Sequence, residues 1–195
     1  MAIDFSKIIA FYNSVVPLTK EEEEILISKL EVLHFDKKSL IIEKDATSNY
    51  VYFVNKGILR SYYLKEGEEV TTQFYFPNSY CASYSSFLTR TKGRLNVDCL
   101  EDVELLALSF ENVQHLYKTY PTFNTFGRRV SEFLYIEFYE RFSSFMLDDA
   151  KSRYLDLMMK RPEVLKTVPN YMIASYIGIT PESLSRLKRQ IIKDS

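Results

Sequence analysis

The chain has 195 residues, 46% of them hydrophobic and 26% charged, with a net charge of −1, a balance that excludes a disordered segment and fits one large or two small globular domains. Cys81 and Cys99 are the only cysteines and His34 and His115 the only histidines, which argues against a disulfide framework and a structural zinc site. The charge is uneven: residues 151–195 hold nine Lys or Arg against four Asp or Glu, and residues 1–150 hold sixteen against twenty-two, so the basic end is the part suited to a polyanion.

The opening "MAIDFSKIIAFYNSVV" lacks the basic start and long apolar run of a signal peptide. No stretch reaches the roughly 18 apolar residues of a membrane span. A cytoplasmic protein with no membrane partner is therefore expected. Residues 18–34, "LTKEEEEILISKLEVLH", predict a helix capped by Thr19, with glutamates in the first turn where the helix dipole favours them. Its apolar stripe is Ile25, Leu26, Leu30 and Leu33.

From residue 35 the period changes. "SLIIEKD", "YVYFVNKGILRSYYLK", "EEVTTQFYF", "LNVDCL" and "VELLALS" are rich in β-branched and aromatic residues and are separated by turn-prone segments. They predict a β-sandwich or small barrel over about residues 35–109, with Gly57 and Gly67 supplying positive φ at hairpin corners. "SFENVQHLYKTYP" follows as a short helix capped by Ser109. A longer helix is predicted from about Thr122 to Met146, with Phe126, Val130, Phe133, Leu134, Phe138, Phe142 and Phe145 spaced at threes and fours. So apolar a helix either covers the β-region or packs against its own copy as a homodimer seam. "DDAKSRYLDLMMKR" starts another helix capped by Asp148 or Asp149, ended with the help of Pro162, and "PEVLKTVP" is a connection.

The last segment carries the most information. Pro169 suits the first helical position of "PNYMIASYI", and Gly178 a left-handed exit from that helix. Thr180 then caps a second helix with Pro181 at its first position. Ala174, Gly178 and Leu184 have the spacing of a helix-turn-helix, in which a small residue lets two helices cross closely. Opposite Leu184, Leu187 and Ile191 the second helix presents Glu182, Ser183, Ser185, Arg186, Arg189 and Lys193. In a helix-turn-helix the start of the second helix enters the major groove of double-stranded DNA. Arg186 suits a guanine O6 and N7, and Glu182 a cytosine amino group. Arg189, Lys193 and the flanking Lys188 suit phosphates. Thr180, Pro181, Asn170 and Tyr171 complete the candidate DNA-contacting set. An i,i+4 ion pair between Glu182 and Arg186 is compatible with the same role.

On these residues the chain resembles the Crp/Fnr family of bacterial transcription regulators. "VYFVNKGILRSYYL" is similar to the family's strand-Gly-strand segment, and "ASYIGITPESLSRLKR" to its DNA-reading motif. The resemblance implies an α+β fold: an antiparallel, jelly-roll-like β-roll of eight strands with flanking helices, a long dimer helix, and a C-terminal all-α helix-turn-helix domain. It divides the chain into a sensor domain at 1–146, with the dimer helix at about 122–146, and a DNA-binding domain at 147–195. No terminal wing hairpin is expected after "IIKDS". Carried over by position, the family's reading residues fall on Pro181, Glu182 and Arg186, with Pro181 replacing the usual basic residue. Cyclic-nucleotide binders of the family use Gly-Glu and Arg-Ser pairs in the region matching "NSYCASYSSFLTRTKGRLNV". Here there is no Gly-Glu, and Arg94 precedes Leu95.

The expectation is thus a dimeric regulator, not an enzyme, with no cofactor and no metal. Cyclic AMP is not its expected ligand. An unknown small-molecule effector remains open, with Tyr80, Tyr84 and the nearby serines as candidate lining, and RNA polymerase is a further candidate partner. A thiol switch on Cys81 or Cys99 also stays open. Two other classes compete. A cupin-like enzyme needs several histidines in the barrel, which this chain lacks. A partner- or effector-binding module whose helix-turn-helix no longer reads sequence is the remaining alternative.

Overall fold

The computed structural model describes residues 3–194; Met1 and Ala2 of the N-terminal segment and Ser195 at the end of the expected second domain lie outside the described residues. The chain divides into two compact units, residues 1–61 with 74–133 and residues 62–73 with 134–195.

The first unit opens with α1 (Ser6–Val15) and α2 (Lys20–Lys29). Thr19 caps α2 in a reciprocal box: its Oγ1 accepts from the Glu22 amide at 3.2 Å, and Glu22 Oε2 accepts from the Thr19 amide at 2.9 Å. The helix predicted over 18–34 stops at Lys29. Residues Glu31–Phe35 form strand β1 and pair antiparallel with β8 (Val103–Ser109), from Glu31 opposite Ala107 to Phe35 opposite Val103. Leu33 therefore leaves the helical stripe. The reason is a period of two within "EVLHF": Val32 packs among the helices, while Leu33 and Phe35 face the opposite core.

Among the described residues, eight strands form two sheets of four. One has the order β1-β8-β3-β6, with β3 at Tyr50–Lys56 and β6 at Tyr80–Cys81. The other has the order β2-β7-β4-β5, with β2 at Leu40–Ile42, β7 at Asn96–Cys99, β4 at Leu59–Lys65 and β5 at Glu68–Tyr75. The antiparallel β-roll expected from sequence is present. Its interior is filled by residues from both sheets, among them Ile42, Val54, Leu59, Val97, Cys99 and Leu105. The outer face of the first sheet is covered by helices. Strand β3 serves both cores: Val54 points into the roll and Phe53 against the helices. Strand β8 does likewise with Leu105 and Leu106, which is why its stretch "LLAL" is apolar without a gap. Gly57 and Gly67 have φ of +82° and +86°, as the turn signals required.

Helix α3 (Tyr84–Thr89), absent from the sequence prediction, follows β6. After β8 come α4 (Phe110–Thr119), capped by Ser109, and α5 (Pro121–Leu147). Phe123 and Phe126 at the start of α5 are buried against α1, with the Phe126 ring stacked 3.8 Å from that of Tyr12.

In the second unit the later part of α5 is followed by α6 (Ala150–Lys160), α7 (Pro162–Thr167), α8 (Asn170–Ile177) and α9 (Pro181–Asp194). Asp149 caps α6 by accepting from the Ser152 amide at 2.8 Å. The expected connection at 162–167 is instead a short helix. Pro162 at its first position both ends α6 and starts α7, because the missing N–H is harmless there. Tyr154, Leu157, Val164, Val168, Ile173 and Leu184 are all buried, which gives this unit its own small core.

Candidate nucleic-acid interface

The site is built on α8 and α9. Pro169 is the cap of α8 rather than its first helical residue, because its ψ of 141° is extended; its carbonyl accepts from the Met172 and Ile173 amides at 3.0 and 3.2 Å. Gly178 leaves α8 with φ 78° and ψ 35°. The Ile179 amide donates to Ala174 O at 3.0 Å and the Gly178 amide to Ser175 O at 3.1 Å, closing a Schellman turn that satisfies the last carbonyls. Two residues later Thr180 caps α9, its Oγ1 accepting from the Ser183 amide at 3.2 Å. Ala174 is 0% and Leu184 1% exposed, so the small residue and the leucine are both buried, as the spacing predicted. Leu187 and Ile191 are half-buried on the same side.

The opposite side of α9 is open. Thr180, Pro181, Glu182, Ser185, Arg186, Arg189 and Lys193 are exposed, Ser183 is half-buried, and Asn170 and Tyr171 are exposed at the start of α8. Three of the expected candidates are engaged differently from the sequence reading. Arg186 donates to Ser183 Oγ at 3.2 Å. Glu182 is held below its ordinary range by its own amide first, then by Thr180, with Arg186 acting only through space. Ser183, not Glu182, therefore orients the arginine. Lys188 does not extend to the flank: its Nζ donates to Asn170 Oδ1 at 2.5 Å and lies 5.8 Å from the Tyr154 ring, bracing α9 to α8. Arg189 and Lys193 are exposed, with Arg189 Nε donating to Ser185 O one turn back at 3.4 Å.

The β4–β5 hairpin tip belongs to the same unit. The Thr71 amide donates to Ser175 Oγ at 2.9 Å, and that hydroxyl donates to Glu69 O at 3.0 Å. One serine thereby satisfies two backbone groups on the edge strand of its sheet. Residues 133–147 of α5 carry a run of exposed apolar side chains, including Tyr135 at 68%, Phe138 at 67%, Tyr139 at 59% and Phe142 at 55%. Their rings stack in pairs, Tyr135 on Tyr139 and Phe138 on Phe142, both at 6.4 Å.

The region expected to line an effector pocket is tied up internally. Tyr80 is packed among Phe11, Tyr12, Phe53 and Phe126, and Tyr84 bonds Ser131 at 2.9 Å. Ser86 Oγ accepts from the Ser48 amide at 3.0 Å and donates to Thr91 O at 2.5 Å. Arg94 is exposed, whereas Arg90 is spent on Ser48 O at 2.7 Å and Asn49 Oδ1 at 2.6 Å and lies 4.3 Å from the Phe110 ring. Between β4 and β7, Arg60 makes a bidentate pair with Asp98 at 3.0 and 2.7 Å. Sequence reasoning missed this pair; an Arg inside the strand "ILRSYYL" was its signal. Cys81 and Cys99 are buried free thiols; burial, with Asp98 and Asp102 nearby, pushes Cys99 up to about 11, and burial pushes Cys81 higher still. Among the described residues no group of three His, Cys, Asp or Glu is placed to hold a metal, and no helix is long and apolar enough to cross a membrane.

Comparison with known proteins agrees with this architecture. Residues 32–120 match the family model of the cyclic nucleotide-binding domain. A solved CooA mutant from Carboxydothermus hydrogenoformans is similar over 87% of this chain and 79% of its own, with a TM-score of 0.69 and 19% identity. A putative transcriptional regulator of the Crp/Fnr family from Eubacterium rectale gives a TM-score of 0.70 at 15% identity, covering 91% and 85% of the two chains. FixK2 from Bradyrhizobium japonicum gives 0.69 at 18% identity, covering 85% of each. Comparison with curated proteins gives no match.

Proposed function

We propose that this chain, which carries a cyclic nucleotide-binding domain fold at 32–120 and has the architecture of the Crp/Fnr regulators, is a dimeric, sequence-specific DNA-binding transcription regulator. The observation that supports this most is the asymmetry of α9. Its leucine side is anchored, with Leu184 1% exposed, while Glu182, Arg186, Arg189 and Lys193 are exposed on the other side of a helix opened by a Schellman turn. A helix so presented fits the major groove, which is wide enough to admit one. Arg186 takes a guanine edge and Glu182 a cytosine amino group; Arg189 and Lys193 take phosphates and fix the register. Pro181 offers no donor and Lys188 is held by Asn170, so the contact set is narrower than the sequence implied.

Reading a two-fold site needs two copies. The exposed aromatic run of Tyr135, Phe138, Tyr139 and Phe142 is a helix face too apolar for water, and its self-complementary partner is the same face of a second chain. The roll, filled by its own side chains and tied at Ser86 and Arg90, has diverged from cyclic AMP binding. Selection of full-length protein against random duplex DNA tests the reading: a two-fold symmetric site is expected, with half-sites about 34 Å apart. Enrichment of no sequence would contradict it. The shortage of basic residues at the start of α9 favours one rival, a partner-binding module without sequence reading. Such a module would bind DNA weakly, equally across sequences and with a steep salt dependence.

A further inference from the structure

We propose that Arg141 and Arg153 are positioning residues for the DNA-reading helix: they clamp the C-terminus of α8 to α5 and α6 and so fix where α9 begins. The inference rests on the DNA-binding reading above. The last two carbonyls of α8 belong to Tyr176 and Ile177, at the negative end of the helix dipole. Arg141 of α5 donates from Nη2 to Tyr176 O at 2.9 Å, and Arg153 of α6 donates from Nε to Ile177 O at 2.9 Å. Arg153 also donates to Asp148 O at 2.5 Å, which holds it in the corner between α5 and α6.

Aromatic rings complete the clamp. The Arg141 guanidinium lies 3.8 Å from the Tyr176 ring centre and 5.1 Å from that of Phe145, and Arg153 lies 4.9 Å from Phe145 on its own account. The edge of Phe145 closes directly over the turn: a Cβ on Gly178 would meet its Cε1 at 2.8 Å. Two cations and one ring from outside the helix pair thus converge on residues 176–178. Neither guanidinium belongs to α9, so their part in DNA recognition is indirect.

Helix α5 has a second role in the same turns. Arg141 and Phe145, four residues apart, share the side that meets the turn. Tyr135, Phe138, Tyr139 and Phe142 are exposed around them. A rotation of α5 about its axis is therefore carried to the start of α9 through rigid, charge-assisted bonds. Arginine is required: a lysine keeps the charge but loses the planar stack on Tyr176 and the fork.

Arg141→Met, Arg153→Met and Arg141→Lys, made in the full chain, test this with two readouts. Hydrogen exchange of the amides at 178–184 reads the turn without DNA; faster exchange is expected in both Met variants, with Arg141→Lys intermediate. Affinity for the selected operator against random duplex reads discrimination, which should fall at least about ten-fold, as if one base contact were lost. The salt slope should stay at the wild-type value because no phosphate contact is removed. Unaltered exchange overturns the proposal, and so does faster exchange with discrimination retained or with a reduced salt slope. In those cases a wild-type chain that still selects an operator leaves the DNA-binding reading intact. A wild-type chain that selects nothing overturns both.

Discussion

Replacing Gly178 by Ala probes the turn on which the placement of α9 depends. Gly178 sits at φ 78°, ψ 35°, where a residue with a Cβ costs about 1–2 kcal/mol. The added carbon would also lie 2.8 Å from Phe145 Cε1, so the ring must turn away from Arg141 and Arg153, 5.1 and 4.9 Å from its centre. Each such cation–ring contact contributes about 0.5–1 kcal/mol at an exposed site. The total loss expected is about 2–4 kcal/mol, enough to loosen the turn without unfolding a domain of ordinary stability. Urea denaturation of Gly178→Ala, Phe145→Leu and the double variant separates the two parts. With Phe145 gone, the cost of Ala should drop to the backbone share of about 1–2 kcal/mol, leaving a coupling of about 1–2 kcal/mol. Gly178→Asn, which tolerates the left-handed region, should lose mainly the ring contact. A Gly178→Ala variant within about 0.5 kcal/mol of wild type, or a strictly additive cycle, would refute the reasoning.

Three further outcomes are expected. Leu184→Ala, at a site 1% exposed, should destabilise the second unit by about 2–5 kcal/mol, read from the urea transition of that unit. Glu104 is pushed up by its burial, but Asn55, Lys56 and His34 outweigh this and leave it below its ordinary 4.5. Its lowered folded value means its stabilisation is complete above pH 4.5 and is lost as the pH falls through the folded value. Glu104→Gln should therefore be less stable than wild type at neutral pH and converge with it in acid melts. At pH 8 the Cys99 thiol, raised to about 11, holds only roughly 0.1% thiolate. Alkylation of native protein should therefore be slow and that of urea-unfolded protein fast; prompt labelling of the native chain would contradict the buried assignment.

Much of the fold is legible because its local signals agree with its packing. "VYFVNKGILR" is rich in β-branched and aromatic residues and turns at a glycine, and the structure makes it β3, a turn and β4. Ser109, Asp149 and Thr180 each cap the helix they were expected to cap. The failures come where a tertiary partner decides. "EVLHF" has apolar residues at helical spacing from α2, yet β8 supplies a backbone ladder and the segment becomes β1. The helix at 162–167 is too short to show a period. For the site, the αL glycine, the cap and the buried leucine were all readable from residues 174–184. The orientation of Arg186 by Ser183 and the engagement of Lys188 with Asn170 were not, since exposed polar side chains choose among several partners by geometry alone. Nor was the clamp on α8, whose arginines lie 24 and 35 residues from their acceptors. Arg141 does leave a trace, as a lone cation within the apolar run of α5.

The central claim is that the open side of α9 reads base edges. The most direct measurement is a base-preference profile of the operator for wild-type protein and for Arg186→Ala, at one salt concentration. The account predicts that the variant loses about 1–3 kcal/mol of discrimination at one base pair in each half-site, symmetrically, and keeps the other positions. A profile that Arg186→Ala leaves unchanged would show that this helix face does not read the duplex.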